Sequence, residues 1–487
     1  MIRGMQLHHA NSHGRFILRD DLSPEDAAML QALYSRSGES VLSHLAKIDA
    51  GRREAVRAAL AETLADSNAP DADAVAAIDA VLGQGASARA GSFMRSFYVG
   101  YNHKSIADCG STVLFIEDVS LLAAKAIQDN PLYSGQETST RYLDMGSRRV
   151  VDPVGTPASR AVIDRWMNFY GESRGAIAAE VRARHPRQPD EAEDVYERAV
   201  HARTFDILRG FLPAGVTTQL SWATNLRQAA DKLATLRHHP AAEIAAVGEA
   251  LTELVVQAYP STAGADGAAR VTGVVGDRDA RAGWDLHVGR SASYVMPTRG
   301  PFLDSTILPG SLRDAGLDLL RDRPRGCVLP HFLSDLGQIT WRFDLDFGSF
   351  RDIQRHRNGV CRMPLLSMEH GFHPWYLEQL PIERNAVARM LLEEQRQALD
   401  DMECGPIACQ YYVPLGAMVP CQVTYCLPAA VYVVEVRSSK TVHPTLRAVA
   451  HRMAASLREA LPDLKLHADM DPDGWTVRRG RQTISAR

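Results

Sequence analysis

Two blocks of this 487-residue chain occur twice in the same order, and such a repeat obliges the chain to build one supersecondary plan twice. The first block is "NHKSIADCGSTVLFIEDVSLLAAKAIQDNP" (102–131) against "PHFLSDLGQITWRFDLDFGSFRDIQRHR" (330–357). Each has a histidine, then a glycine (Gly110, Gly337), then a strand-like apolar run ending in an acid, then an amphipathic segment. From the glycine to the triplet closing the block is 19 residues in one and 18 in the other. The second block sets "FLPAGVTTQLSWATNLRQAADKLATLRHHP" (211–240) beside "YVPLGAMVPCQVTYCLPAAVYVVEVRSSKTVHP" (412–444). Here Pro-x-Gly is followed, 24 or 23 residues after the proline, by Arg237 or Arg437 and then by His-Pro.

The expected fold class is α+β: two related copies, each a mixed or antiparallel sheet packed against long helices. Residues 1–262 would hold the first copy behind a helical N-terminal extension, 263–310 a loop-rich join, and 311–487 a second, more divergent copy. The extension begins at "LSPEDAAMLQALYSRSG", with Ser23 as N-cap, Pro24 at the first helical position and an acid three residues after the cap.

The copies differ where charge is concerned. Opposite Arg355-His356-Arg357 the first copy has Asp129-Asn130-Pro131, with no positive charge. Just beyond, the first copy carries "SGQETSTRY" (134–142), dense in hydroxyls with Glu137 and Arg141, whereas the second has "VCRMPLLSM". Each half keeps what the other lost.

These residues suit the binding of an anionic ligand. Arginine offers bidentate, permanently charged donors for a phosphate. On a helix continuing from Phe347, the residues Phe347, Phe350, Gln354 and Arg357 share one face, and Arg351 and Arg355 lie on the neighbouring one. A fork of cations at the helix end is expected; the plain alternative is a solvated basic end suited to the helix dipole. Glu137, Ser139 and Arg141 alternate, so an extended backbone would aim all three the same way. Arginine and serine there suit a phosphate, and the glutamate a base or ribose hydroxyl; the alternative is an exposed polar strand with an ion pair. Singly, His103 and His331 read as core histidines, and Arg209 as a cap on a helix C-terminus.

Together the motifs resemble those of the flavin-dependent thymidylate synthases, whose signature RHRxxSxNExSxRY follows a GHxSxxEH-like segment. "NHKSIADC" is similar to that segment, keeping His103 and Ser105 but with Asp108 and Cys109 where Glu and His are usual. "SGQETSTRY" resembles the second part of the signature, with Ser134, Gln136, Glu137, Ser139, Arg141 and Tyr142 in register. The first part stands in the other half as Arg355-His356-Arg357. "RGFLPAGVTTQLSWATNLR" resembles RxxLPxxxxTxxxxTxNxR, with Arg209, Asn225 and Arg227 in matching places. The resemblance covers residues 95–245 well and 325–455 loosely.

The resemblance implies methylation of dUMP to dTMP, with methylenetetrahydrofolate and NADPH as co-substrates and FAD as cofactor, at sites formed between subunits of a homotetramer. Carried over, Arg355, His356 and Arg357, with His103 and Ser105, would hold FAD. Glu137, Ser139, Arg141 and Arg209 would hold dUMP, and Arg237 would be a further nucleotide-binding arginine, although the spacing after it is two residues short. The departures are the Asp129-Asn130-Pro131 triplet, Asp108-Cys109, and Gln410 where the second copy would want an arginine. Complementary loss is what a fused pair of copies predicts, and a homodimer would then imitate the tetramer. Two rival readings are a non-catalytic flavin- or nucleotide-binding relic and C5 modification of another uridine nucleotide.

Composition narrows the field. A net charge of −4 gives no basic track for nucleic acid. Seven cysteines form no CxxC pair and no zinc-like spacing, so no metal is expected. No apolar run approaches the roughly 18 residues of a membrane span, and the N-terminus lacks the apolar core of a signal peptide, so a reducing cytoplasm is the expected setting. No GxxxxGK[ST] loop exists, and "GQGASARAG" (83–91) follows a helical rather than strand-like segment, so a flavin site would rest on side chains.

Overall fold

Alternation in "QITWRFDLD" and "MVPCQVTYC" builds the main sheet. In the computed structural model, Gln338–Asp346 and Met418–Cys426 pair antiparallel along their whole length, Gln338 opposite Cys426 and Asp346 opposite Met418. Ile339, Trp341, Phe343 and Leu345 are buried, as are Val419, Cys421, Val423 and Tyr425. Leu303–Ser305, in the expected join, flanks this pair on one side and Gly359–Arg362 on the other, giving a four-stranded antiparallel sheet. The protein is thus α+β, with antiparallel sheets and a majority of helix.

The structure describes residues 6–11, 14–19, 22–33, 41–64, 88–94, 96, 104–259, 301–307, 310, 320–479 and 484–486. His103 and most of the expected join at 263–310 lie outside them. The chain divides into two compact units: residues 1–114, 222–239 and 244–282 form one, and residues 115–221, 240–243 and 283–487 the other.

In the first unit Gln6–Asn11 and Gly14–Arg19 form an antiparallel hairpin. The helix Pro24–Leu33 starts as its sequence directs: Asp26 N–H donates to Ser23 Oγ at 3.1 Å, and that hydroxyl donates to the Asp26 carboxylate at 2.8 Å. Ala28, Met94, Ile106, Ala107 and Leu226 make a small core there. Asn225 caps the helix Leu226–Leu236 by accepting from Gln228 N–H at 2.8 Å.

The second unit carries the larger core. The long helix Pro157–Arg184 lies along Ile382–Asp401, where Gln395 donates to the Val162 carbonyl at 2.7 Å and Trp166 Nε1 donates to the Tyr412 carbonyl at 2.9 Å. The order 3-10 turn, strand, helix, long helix, 3-10 turn, strand, two helices runs from Lys104 to Ala258 and again from His331 to Ala460, with an additional helix, Glu193–Leu208, before the second turn of the first stretch and short pieces between elements of the second.

Where the two Pro-x-Gly segments meet, their hydrogen bonds are reciprocal. Ala214 N–H donates to the Val413 carbonyl at 2.9 Å, and Leu415 N–H to that of Leu212 at 2.8 Å. Gly215 donates to Tyr411 at 2.7 Å and Gly416 to Gly210 at 2.8 Å, with Pro213 opposite Pro414. A Cβ at Gly215 would lie 2.8 Å from the Tyr411 carbonyl oxygen, and one at Gly416 2.8 Å from that of Gly210. Only glycine allows so close a backbone approach, which explains the last letter of both motifs.

A disulfide joins Cys404 to Cys409, and the other cysteines among the described residues are free. Among the described residues no helix is long and apolar enough to cross a membrane, and no group of His, Cys, Asp and Glu could hold a metal ion.

Candidate functional site

The helix Phe347–Gln354 springs from the end of a sheet strand because Asp346 caps it, accepting from Ser349 N–H at 2.9 Å. Phe347, Phe350 and Ile353 anchor it in the core, which leaves Arg351 and Arg355 directed at the 134–142 stretch. Both arginines reach Glu137, Arg351 on one oxygen and Arg355 at 3.1 Å on the other; Gln128 Nε2 adds a third donor at 2.7 Å. The Glu137 side chain is only 2% exposed.

The expected helical face does not extend to Arg357. The helix ends at Gln354, with Arg355 as its C-cap, and His356 N–H donates back to the Ile353 carbonyl. Beyond that turn Arg357 donates to the Gln128 carbonyl at 3.1 Å and lies over the Tyr133 ring, 4.5 Å from its centroid. Nor is the triplet a fork of three cations. Arg437 Nε donates to His356 Nε2 at 2.6 Å, which requires that nitrogen to be unprotonated. Burial, followed by the charges of Arg437 and Arg357, holds the His356 imidazolium pKa down to about 3.

Glu137, Ser139 and Arg141 do not aim the same way, because the backbone leaves the extended conformation at Thr140 and enters a turn. Arg141 donates to both oxygens of Asp206, at 2.7 and 3.3 Å, and to the Thr441 carbonyl at 3.2 Å. Ser139 is half-buried and its hydroxyl accepts from Arg141 N–H at 3.3 Å. Asp206 also receives Arg479. Burial opposes its charge, but Arg141 and Arg479 outweigh burial and hold the carboxyl well below the usual carboxylate range.

Arg209 stands at the C-cap of the helix Glu193–Leu208, with its side chain turned into the core. It is 2% exposed and its guanidinium meets Ser349 Oγ at 2.8 Å, Asp352 at 3.2 Å and Asp346 at 3.6 Å. Burial works against its charge, but Tyr376, Asp352 and Asp346 more than compensate, so it stays protonated. Asp352, buried yet facing Arg209, Arg355 and Arg437, is likewise held below the usual range.

These residues form one network. Five arginines (141, 209, 351, 355 and 479) pair with four carboxylates (Glu137, Asp206, Asp346 and Asp352), and Arg437 donates to the Asp352 backbone carbonyl, which leaves an excess of two positive charges. An excess of that size, with Arg355 open to solvent, matches a phosphate dianion. Beside the network, Arg355, His356 and Arg357 form one wall of a cleft of about 1050 Å³. Leu329, Pro428, Tyr432 and Val433 give it an apolar wall, and His331 and Ser334, in contact at 3.4 Å, line it too.

The remaining expected site residues lie in the first unit. Ser105 is exposed on a 3-10 turn, Arg227 pairs with Asp108 at 2.7 Å, and Arg237 ends the helix Leu226–Leu236 with Glu249 at 4.0 Å. Their repeat counterparts, His331 for His103 and Arg437 for Arg237, stand in the cleft and the network. The repeat alignment already set these pairs side by side and was the signal that could have found them. Asp206, Asp352 and Arg479 had no motif to announce them.

Comparison with known proteins gives two kinds of likeness. Similarity to curated proteins runs along both halves: 25% identity over 437 residues to a UPF0159 protein of Chlamydia muridarum, covering 77% of this chain and 80% of that protein. A UPF0159 protein of Chlamydia pneumoniae is 25% identical over 413 residues (74% and 77%), and one of Thermoplasma acidophilum 23% over 467 residues (78% and 89%). Residues 36–261, which carry Glu137, Ser139, Arg141 and Arg209, match the family model described as thymidylate synthase complementing protein.

Proposed function

We propose that the chain is a tandem, two-copy member of the flavin-dependent thymidylate synthase family, methylating dUMP to dTMP at a composite site within its larger unit. The observation that carries this reading is the direct contact between the two retained half-motifs: Glu137 of the first stretch holds Arg351 and Arg355 of the second. The recurring element order and the reciprocal bonds around Pro213 and Pro414 support descent of the two stretches from one duplicated unit.

The residues present fit a flavin dinucleotide. The cleft offers two guanidiniums for its pyrophosphate, an apolar wall for its ring and a volume of about 1050 Å³. Arg355 and Arg357 would take the phosphates, with His331, Ser334 and Tyr432 beside them. Bound flavin would supply the reducing equivalents, drawn from NADPH, for reduction of a one-carbon unit from methylenetetrahydrofolate at C5 of the pyrimidine. The chain's own part is binding and orientation. Arg141 would meet the nucleotide phosphate, Asp206 would keep it from swinging away, and Ser139 would add a hydroxyl; Arg209, sealed among Asp346, Asp352 and Ser349, would contribute its charge without direct contact. Glu137 would exchange Arg355 for a donor on the ribose or base. His356, held neutral, would offer an acceptor rather than a third positive charge.

A homodimer completing the pseudo-tetramer is part of the proposal, and light scattering should return twice the chain mass of 53.4 kDa. One observation favours the non-catalytic reading: Glu137 and Arg141 are each satisfied by internal partners. The deciding experiment is the visible spectrum of the protein after incubation with FAD and desalting, followed by addition of dUMP to the dithionite-reduced form. Retained flavin and dUMP-dependent reoxidation with methylenetetrahydrofolate are expected. Arg355→Ala with Arg357→Ala should abolish retention while the far-ultraviolet dichroism stays unchanged. A double variant that keeps its flavin would sink the assignment, and retained flavin that ignores dUMP would leave the relic reading.

A further inference from the structure

A second, smaller pocket lies on the other side of Asp206, under residues 469–475. Its roof is built by a ladder of turns: Asp469 accepts from Asp471 N–H at 3.1 Å, Asp471 from Asp473 N–H at 3.0 Å, and Asp473 from Trp475 N–H at 2.8 Å. Arg447 ties this segment down, donating to the carbonyls of Ser438, Asp471 and Pro472, and Lys440 pairs with Asp471. The ladder delivers Trp475 onto His185, ring to ring at 4.4 Å and 18°. Beside them is a pocket of about 410 Å³ lined by Arg203, Trp375, Lys440, His451, Trp475 and Arg479, among others.

Most cations around this pocket have a partner, but Arg203 does not. Among the described residues it makes no hydrogen bond or ion pair; the Trp475 ring lies 5.9 Å from its guanidinium, and Asp206 is the foremost charge acting on it. Its Nε, the Trp475 Nε1 and the His451 Nε2 are all shut from solvent without a hydrogen-bond partner. Four cations, Arg203, Lys440, Arg447 and Arg479, line the pocket, and such a lining calls for an acceptor. Asp473 is the one carboxylate in the lining, and it is exposed. The missing group is therefore rich in acceptor oxygens and anionic.

We propose that this pocket binds a small phosphate monoester, with Arg203 as its principal contact. A phosphate presents several acceptor oxygens to cations on different sides, as Arg203, Lys440, Arg447 and Arg479 require. The volume exceeds that of phosphate alone and leaves room for the ester's organic part against Trp375. The pocket also has a route to the composite site. Arg479 lines it and holds one oxygen of Asp206, while Arg141 holds both. An anion that draws Arg479 toward itself loosens Asp206 and with it Arg141; this coupling, unlike the binding, rests on the proposed function.

The test is equilibrium binding of inorganic phosphate, and separately of dTMP, to the FAD-treated full-length protein, followed by calorimetry and by tryptophan emission. Arg203→Met should weaken phosphate binding at least about tenfold, the loss expected for one charge-assisted contact. Arg203→Lys should restore part of it, and the flavin spectrum should be the same in all three. Arg141→Met should change phosphate affinity less than Arg203→Met does, because Arg141 reaches the pocket only through the shared Asp206. Undiminished affinity in Arg203→Met would overturn the proposal, as would a loss seen in Arg141→Met alone, which would place the anion in the composite site. Tighter binding of dTMP than of phosphate identifies an ester as the occupant; equal binding with Arg203 dependence identifies the phosphate group alone as recognised. A protein that retains no flavin yet binds phosphate through Arg203 would refute the proposed function and keep this site. If Arg203→Met fails to fold, Trp475→Phe serves instead: the emission response to phosphate must disappear with it, and a persisting response overturns the proposal.

Discussion

Arg209 and Gln410 hold matching places, one ahead of Leu212-Pro213 and the other ahead of Val413-Pro414, yet their surroundings share nothing. Arg209 is sealed among Asp346, Asp352, Ser349 and Tyr376. Gln410 is half-buried and purely structural, accepting from Leu366 N–H at 3.1 Å and donating to the Ile407 carbonyl at 3.3 Å. The matching helix caps are reversed in polarity as well. Ser120 caps by accepting from Ala123 N–H and gives its own proton to Glu243 at 2.6 Å. Asp346 caps in the same way but takes Tyr376 OH at 2.9 Å and faces Arg209. The lesson is that backbone plan and charge are separable: both stretches keep the same caps and the same crossing, while only one place concentrates buried charge.

Three variants test how deep this difference goes. The largest effect should come from Arg209→Met, which leaves Asp346 buried without its cation and Asp352 with only Arg355 and Arg437. A loss of about 3–5 kcal/mol in urea unfolding is expected, because removing one partner of a buried pair strands the other. A loss under about 1 kcal/mol would mean the pocket is solvated and the contrast with Gln410 only apparent.

Next is pH. His356 titrates at about 3 in the folded chain against an ordinary 6.5, so between those values the unfolded chain binds the extra proton. Its contribution is complete above pH 6.5 and lost as pH falls toward 3, on the order of a few kcal/mol. His356→Asn should flatten the part of the stability profile between pH 6.5 and 4.5. Asp206 and Asp352 act in a lower window: their contribution is present above the unfolded value of 3.8 and disappears as pH falls below it. Identical profiles for variant and wild type between pH 6.5 and 4.5 would show that His356 is not held neutral.

The smallest effect belongs to Gln410→Ala, about 1 kcal/mol or less for two modest hydrogen bonds, with no change in flavin retention. A loss of flavin in that variant would make the second place functional too.

Much of the scaffold could be read without coordinates. The Ser23 cap, the strand-to-helix passage at Phe347 and the Pro-x-Gly glycines follow from local rules, since caps, periodicity and close approach act over a few residues. The two half-motifs of the site were legible for the same reason, as dense local groups of chemistry. What misled was the direction of side chains. Arg357 was expected on a helical face that ends three residues earlier, and Ser139 and Arg141 were expected to follow Glu137 although the chain turns between them. Ser105 and Arg237 were chosen over their counterparts because they carried the better sequence match.

By itself, the sequence determined the α+β plan, its recurrence and the residue types that could hold an anion. Only the tertiary structure decided which charges share a site. Asp206 meets Arg479 across 273 positions and Glu137 meets Arg351 across 214, separations at which no local pattern can specify a partner. The protonation of His356 was settled there too, because a pKa depends on burial and on neighbouring charge, and both exist only once the chain has folded.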